Sequence, residues 1–276
     1  MKWICTFLLL VALQGCSTVR VVYDNADTYL RWRASHYLDV DGEMADELEE
    51  RIAAFMAWHR AQALPKYAQL LDDAAQRFDR HLAPADLNWG YDSVMTQAKE
   101  SLRMAAVQGA PLLDRLSPKQ IANLERRLAD DNRRFARENL RGDERERRKR
   151  RTERTAERVE DWVGKLTKAQ FQRVAQYAER APLLDDFRAA DHKRVQAEFL
   201  AIVRAHEAKK RLPEFAVTWD RGRDPAYVAA LEASRKEFYA MLIDLERGLS
   251  PEQRIRAAGE LHRYADDFRT LSRAHP

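Results

Sequence analysis

The sequence predicts an all-α protein, an elongated multi-helix bundle of about eight helices, and three observations support this fold class. Glycine and proline number only nine each among 276 residues, so few positions favour turns. Charged residues make up 33% of the chain, and alanine, leucine, glutamate and arginine dominate, as is typical of long helices. Apolar side chains recur at steps of three and four, and the sequence has no alternating run of useful length that would indicate a strand.

The helical pattern begins near Thr28 and is interrupted by proline, glycine or polar caps. Apolar stripes cover residues 28–38, 43–82, 84–108, 118–135, 159–166, 171–178, 184–209, 224–249 and 251–271. Pro65 lies inside the second stripe, so we expect either a kinked helix or two helices that meet there. The most regular stripe is predicted to form one helix face and contains Val228, Leu231, Arg235, Phe238, Leu242, Leu245 and Leu249.

Between residues 141 and 158 the apolar pattern disappears, and fourteen of these eighteen residues are charged. Acidic residues precede basic ones by four positions at Asp143 and Arg147, at Glu144 and Arg148, and at Glu146 and Arg150. This order favours a self-paired, solvated helix that projects from the body. The alternative is that Arg147, Arg148, Lys149 and Arg150 bind acidic partners or lipid phosphates, because the segment carries nine positive and five negative residues.

Three segments repeat one helix-opening pattern, and a fourth is degenerate. They are Leu116-Ser117-Pro118-Lys119-Gln120, Leu166-Thr167-Lys168-Ala169-Gln170, Leu249-Ser250-Pro251-Glu252-Gln253 and Leu82-Ala83-Pro84-Ala85-Asp86. The pattern predicts capping boxes, in which the serine or threonine and the glutamine each accept a backbone N–H from the other end of the box. It also resembles the L-T-x-x-Q motif of the periplasmic chaperone family of Spy and CpxP, a resemblance that implies binding of unfolded clients.

The first sixteen residues have the pattern of a lipoprotein signal peptide. Lys2 is followed by an apolar run that ends in Leu13-Gln14-Gly15-Cys16, which resembles the bacterial lipobox. That resemblance implies cleavage before Cys16, acylation of its thiol and, with Ser17 next, sorting to the outer membrane. The alternative is an uncleaved membrane helix, which needs about 20 apolar residues, and this run is shorter. Since Cys5 is the other cysteine, the mature chain is predicted to have no disulfide.

A second resemblance covers more of the chain. The segments Tyr23-Asp24-Asn25, Tyr29-Leu30-Arg31-Trp32, Trp58-His59-Arg60 and Leu64-Pro65-Lys66-Tyr67-Ala68 resemble a family of helical bacterial lipoproteins of unknown function. The resemblance implies fold and location, and it implies no activity. Around the kink it suggests either a proline bend whose free carbonyls bond to His59 and Tyr67, or a groove in which Trp58 and Tyr67 contact a partner.

Composition and motifs argue against several classes of function. The formal charge of +4 is too small to indicate a nucleic-acid partner, and export argues further against one. The seven histidines lack the Glu-x-x-His and His-Glu-x-x-His spacings of metal sites, so neither a metal nor another cofactor is expected. The sequence also lacks a Gly-x-Ser-x-Gly motif and a glycine-rich phosphate loop, so the protein is not expected to be an enzyme.

These observations predict five segments and one leading function. The segments are a signal peptide (1–15), a lipidated N-terminus and linker (16–27), a main helical domain (28–209), a loop or hinge (210–223) and a C-terminal helical hairpin (224–276). The expected function is that of a lipid-anchored, periplasm-facing protein of the outer membrane that binds other envelope proteins, in a chaperone-like manner. A structural adaptor of an envelope complex is the alternative, and an enzyme of the cell wall or of lipids comes third.

Overall fold

The structure is a computed structural model that describes residues 18–274. Within this range the chain forms twelve α-helices and no β-strand, which confirms the predicted all-α class. The helices are α1 (Thr18–Asp24), α2 (Ala26–Leu38), α3 (Gly42–Trp58), α4 (Leu64–Asp79), α5 (Pro84–Leu113), α6 (Pro118–Asn139), α7 (Glu144–Val163), α8 (Lys168–Arg180), α9 (Asp185–Arg204), α10 (Ala208–Thr218), α11 (Pro225–Arg247) and α12 (Pro251–Arg273).

A π-helical turn at His59–Ala63 joins α3 to α4, so these two helices form one continuous rod. The described residues therefore contain eleven separate rods, which exceeds the predicted number of about eight. Two of the additional helices, α1 and α10, lie in segments that the sequence assigned to a linker and to a loop or hinge.

Helix α10 corrects the predicted loop or hinge at residues 210–223. Its side chains Ala208 and Leu212 are buried against α5 and α9. The carboxylate of Asp114, at the end of α5, accepts the backbone N–H groups of Ala208 and Lys209 at the start of the helix. Because this cap comes from a distant residue, the local sequence gives no sign of it.

Two hydrophobic clusters hold the bundle together. The first joins α5, α6, α9 and α10, and the second joins α7, α8 and α11. The buried members are Ala106, Ala110, Leu113, Leu116, Ile121, Leu124, Ile202, Val203, Ala208 and Leu212 in the first cluster, and Ala156, Val174, Met241 and Leu245 in the second.

The two C-terminal helices pack mainly on different partners, whereas the sequence suggested that they form a hairpin with each other. Helix α11 packs on α8, and α12 lies along α4. Buried alanines on both α4 and α12, among them Ala75 and Ala265, let the two backbones approach closely. Arg20 of α1 also reaches α12, where it donates to the buried carboxylate of Asp267 at 2.8 Å.

The charged helix α7 is not confirmed as a projecting element, because it packs on α8 and α12. Its side chains Ala156 and Val163 are buried. The guanidinium groups of Arg148 and Arg151 donate to backbone carbonyls at and just after the end of α8. The aliphatic parts of these side chains can therefore lie within the helix interface. In the part of the chain that the structure describes, no helix is both long and apolar enough to span a bilayer.

Candidate functional site

A large apolar cleft of about 1050 Å³ lies among α4, α5 and α11, with contributions from α8, α9 and the turn before α11. Its apolar and aromatic lining consists of Ala74, Phe78, Leu82, Leu87, Trp89, Tyr91, Val94, Met95, Tyr177, Leu184, Trp219, Val228, Leu231, Phe238, Tyr239, Leu242 and Leu261. The volume is at the upper end of the range for small-molecule pockets, about 300–1,000 Å³. The cleft can therefore accept a guest larger than most metabolites.

One wall of this cleft is the regular apolar stripe of α11. A stripe of this kind normally packs into a core. Here the buried face of α11 is instead centred on Tyr227, Ser234 and Met241, one heptad apart. Members of the predicted stripe line the cleft, and Val228 remains 40% exposed. The sequence correctly identified an apolar face: Leu245 of that face is buried in the second hydrophobic cluster, whereas the part from Val228 to Leu242 lines the open cleft.

A second cavity of about 490 Å³ continues from the cleft towards α7 and α12. The two share Phe78, Leu82, Tyr177, Phe238, Leu242 and Leu261, so they adjoin each other along α11, and together they are called the apolar passage. The second cavity adds Trp162 of α7 and Leu249, the leucine of the third helix opener. The passage is lined by apolar side chains over most of its length.

A polar pocket of about 170 Å³ adjoins both cavities beneath α7. Its wall carries one acid, Asp185, and six arginines, Arg147, Arg150, Arg151, Arg154, Arg158 and Arg188. It shares Tyr177, Leu184, Arg188 and Ser234 with the large cleft. Tyr177 lines all three cavities, so it marks the point where the apolar passage meets the arginines.

Only part of this positive charge is neutralised within the described chain. Arg147 pairs with Asp186 at 2.7 Å and with Asp185 at 3.6 Å, and Arg188 pairs with Asp185 at 3.5 Å. The other four arginines of the pocket make no ion pair among residues 18–274. The arginine pocket therefore carries an excess of positive charge.

Arg151 is the most enclosed of the unpaired arginines. It donates to the carbonyl oxygens of Ala181 and Pro182 at 2.8 Å each, and its guanidinium lies 6.0 Å from the Tyr177 ring centre. Burial lowers the pKa of Arg151 from its usual value, and the nearby charge of Arg148 lowers it further. An anion in the pocket would compensate for this unfavourable environment.

Two donors at the wall of the large cleft have no partner in the described structure. They are the indole Nε1–H of Trp219 and the hydroxyl of Tyr239, and both are shielded from solvent. Burial raises the pKa of the Tyr239 hydroxyl, so it stays protonated. An unpaired buried donor costs about 1–3 kcal/mol. A guest with acceptor oxygens could remove that cost after a small side-chain rotation.

The structure places the predicted residues Trp58 and Tyr67 at a different location, beside the π-helical turn. The turn lies just before Pro65, and the Leu64 N–H reaches the His59 carbonyl, so the proline ring is accommodated without a break in the rod. Neither Trp58 nor Tyr67 lines the three cavities described above. Trp58 contacts the rings of Phe55 and His59.

The turn holds a chain of polar side chains around His59. Its Nδ1 lies 2.8 Å from the Tyr23 hydroxyl and its Nε2 lies 3.3 Å from the Tyr67 hydroxyl, which in turn bonds to Ser101 at 2.8 Å. Burial lowers the pKa of His59 and raises that of Tyr23 to about 12. His59 and Tyr67 thus bond to each other and to neighbouring side chains, which differs from the expected contacts to free carbonyls.

The four basic residues proposed for acidic partners take different roles. Arg148 bonds to Glu144 and to three carbonyls around the end of α8. Lys149 is 77% exposed and lies 3.9 Å from Glu153. Arg147 and Arg150 line the arginine pocket, where Arg150 donates to the carbonyl oxygen of Arg141.

Of the three predicted pairs along α7, only that between Glu144 and Arg148 forms in the described helix. Sequence reasoning missed Arg151, Arg154 and Arg158. Their spacing of three and four residues could have indicated that they share one face of the helix.

Two further sequence-based predictions concern sites. Lipidation of Cys16 lies outside the described residues. Among residues 18–274, no group of three or more histidine, aspartate or glutamate side chains is arranged to hold a metal ion.

The fold and cavities define the class of this protein as an all-α protein with an apolar cleft and an adjoining arginine pocket. Residues 36–218 match a family of unknown function, DUF6279, and the chain belongs to this family. This result confirms the membership in an uncharacterised family that the sequence motifs suggested. No curated protein and no solved structure matches the chain. The matched range contains the arginines of α7, whereas α11 lies beyond it.

Proposed function

We propose that this protein is a lipid-anchored binding protein of the bacterial envelope that holds an apolar guest in its cleft. The observation that carries the proposal is the apolar stripe of α11, which lines a cleft of about 1050 Å³. Exposed apolar surface of this extent is costly in water, and it commonly marks a binding site. A binding role is favoured over catalysis because the cleft is mainly apolar.

The proposed location rests on the N-terminal sequence. The segment from Met1 to Cys16 supports export, lipidation and anchoring to the outer membrane, with the body facing the periplasm. Helix α1 begins at Thr18, two residues after Cys16, and its Arg20 pairs with Asp267. A lipid on Cys16 would therefore hold the folded body close to the membrane surface.

A cleft for apolar guests supports a carrier-like or chaperone-like role more directly than an adaptor role. An adaptor needs a surface that one folded partner covers, and it has no need of an open passage. The repeated helix openers support chaperone-like activity less specifically, because they also cap ordinary helices.

The test uses the chain from Ser17 onward, which contains every residue described here, and the uncharged fluorescent dye N-phenyl-1-naphthylamine. We expect saturable dye binding with an increase in fluorescence. Val94→Glu places a charge in the cleft and should weaken binding about tenfold or more. Val107→Glu is the matched control on the same helix, because Val107 is similarly exposed but does not line the cavities.

The proposal fails if the wild-type protein does not bind the dye, or if the two substitutions weaken binding equally while both variants remain folded by circular dichroism.

A further inference from the structure

We propose that the guest is an anionic glycerophospholipid, whose acyl chain lies in the apolar passage and whose phosphate binds in the arginine pocket. The inference rests on the proposed function and specifies its ligand. It follows from the position of the arginine pocket next to an apolar passage, from its unpaired charge and from the length of the passage.

The arginine pocket adjoins the apolar passage. Tyr177, Leu184, Arg188 and Ser234 belong to both the pocket and the large cleft, while Thr155, Arg158 and Tyr177 belong to both the pocket and the second cavity. A ligand that reaches the arginines from the cleft therefore crosses apolar walls. This arrangement matches an amphiphile that has one charged head and an apolar tail.

The chemistry of the pocket suits a phosphate diester. Guanidinium groups present planar pairs of N–H donors that match phosphate oxygens. Arg154 and Arg158 lie on one face of α7 and are exposed; Arg154 makes only a 3.4 Å contact with Asn139, and Arg158 makes no polar contact within the described chain. Both guanidinium groups are therefore available to a ligand.

Acidic groups face the same region but do not cancel its charge. Asp185 is shared between Arg147 and Arg188, and in the large cleft Asp86 and Asp220 are paired with basic side chains. Glu232 lies on the cleft wall and makes no ion pair among residues 18–274. Arg235 on the cleft wall also makes no ion pair among residues 18–274 and lies over the Tyr91 ring, so Glu232 and Arg235 balance in charge, whereas four unpaired arginines line the arginine pocket.

The passage is long enough for an acyl chain. The arginine pocket meets α11 at Ser234, and from there to Leu245 the helix extends along the passage for about 16 Å at the usual helical rise. One leaflet of a bilayer has a hydrocarbon depth of about 15 Å, half of the usual core thickness. An extended acyl chain can therefore lie along α11 with its head at Tyr177 or beyond.

An extended polypeptide fits the site less well. A peptide in a mainly apolar cleft needs partners for its backbone N–H and C=O groups, and the carboxylates of Asp86 and Asp220, which could accept backbone N–H groups, are already paired with basic side chains. The hydrocarbon chain of a lipid has no such groups, and the ester that joins it to glycerol offers acceptor oxygens for an unpaired donor such as that of Trp219 or Tyr239.

The experiment compares two lysophospholipids with the same myristoyl chain, each below its micelle concentration, by calorimetric titration of the chain from Ser17 onward. Lysophosphatidylglycerol is anionic and lysophosphatidylcholine is zwitterionic. Both lipids carry the same phosphate diester, but the quaternary ammonium of choline is repelled by the unpaired arginines, so we expect the anionic lipid to bind about tenfold or more tightly. Added salt should reduce this preference.

The test of the arginine pocket is a double variant, Arg154→Gln with Arg158→Gln, in which the preference for the anionic lipid should fall to about twofold or less. The matched control is Arg103→Gln with Arg145→Gln. Both control arginines are exposed, neither makes a polar contact in the described chain, and neither lines the pocket. The control should retain the preference of the wild type.

The outcomes separate this inference from the proposed function. If the dye binds and both lysolipids bind equally, or if the arginine variant keeps its preference, the phospholipid inference is overturned and the proposed function stands. Tight binding of inorganic phosphate alone would indicate an anion site independent of the cleft and would also overturn it. The phospholipid inference is likewise overturned if a denatured polypeptide displaces the dye and neither lipid does. If neither dye nor lipid binds, the proposed function fails as well.

Discussion

The side-chain amides of Gln170 and Gln253 donate hydrogen bonds to each other, at 2.8 and 3.1 Å, although the residues are 83 positions apart. Each glutamine also accepts the backbone N–H of its own cap residue, Thr167 or Ser250. Two capping boxes therefore meet, and they fix the start of α8 against the start of α12. The repeated helix opener thus contributes to tertiary structure as well as to helix capping.

This contact predicts strong coupling between the two glutamines. Gln170→Ala and Gln253→Ala should each lower the free energy of unfolding by about 1–2 kcal/mol, because each removes one hydrogen bond of a capping box and three others. The double variant should lose about 1 kcal/mol less than the sum, as measured by urea unfolding. Gln120→Ala combined with Gln253→Ala is the control and should be additive, because Gln120 bonds to Asp39 instead. Additivity in both pairs would refute the coupling.

Arg148 is predicted to stabilise the fold rather than to bind a partner. Its side chain is 16% exposed and donates to the carbonyls of Ala178, Glu179 and Ala181. Arg148→Ala should lower the free energy of unfolding by about 2–3 kcal/mol, because these carbonyls lose a charged donor. The neighbouring Lys149→Ala should change it by less than about 0.5 kcal/mol. Equal effects in thermal unfolding would argue against this role.

Local interactions explain what the sequence could predict. Ser117, Thr167 and Ser250 each accept the backbone N–H three residues on, so all three predicted capping boxes are confirmed. The fourth is half formed, because Asp86 accepts the Ala83 N–H while alanine has no side-chain oxygen. Both the boxes and the helical class depend on residues within one or two turns of each other.

Long-range packing explains what the sequence could not predict. The stripe through Val228 and Leu242 shows that α11 has an apolar face, but whether that face meets a helix or a cleft depends on the course of distant segments. The start of α10 depends on Asp114 in the same way. Whether an arginine of α7 lies in the helix interface or in the arginine pocket depends on where α8 packs, and the spacing of the arginines along α7 does not reveal that position.

Asp86 is predicted to stabilise the fold at neutral pH and to lose this effect in acid. Its side chain is 4% exposed; its carboxylate accepts from Arg77 at 2.8 Å and from Arg80 at 2.6 Å, and its other oxygen caps α5. The Ala83 N–H, then Arg77 and Arg80, hold the pKa of Asp86 below its usual value of 3.8. Asp86→Asn should lower the free energy of unfolding by about 2 kcal/mol at neutral pH.

The difference in the free energy of unfolding between wild type and Asp86→Asn should persist above pH 3.8, the pKa of the group in the unfolded chain. It should shrink as the pH falls towards the lower folded-state pKa. Urea unfolding as a function of pH measures it. Asp92→Asn, on the exposed side of the same helix, should have little effect at any pH. A difference that stays constant through acid pH would show that Asp86 is not ionised in the folded protein.

The network at the π-helical turn is predicted to weaken when His59 is protonated. Burial holds the folded-state pKa of His59 below its usual value of 6.5. As the pH falls below 6.5, the unfolded chain therefore binds a proton first, and the free energy of unfolding decreases until the pH reaches the folded-state pKa. His59→Gln removes this titration, so the stability advantage of the wild type should be largest above pH 6.5 and should diminish below it. His262→Gln, which replaces an exposed ring, should retain the wild-type pH dependence, and an identical dependence in His59→Gln would show that His59 makes no contribution.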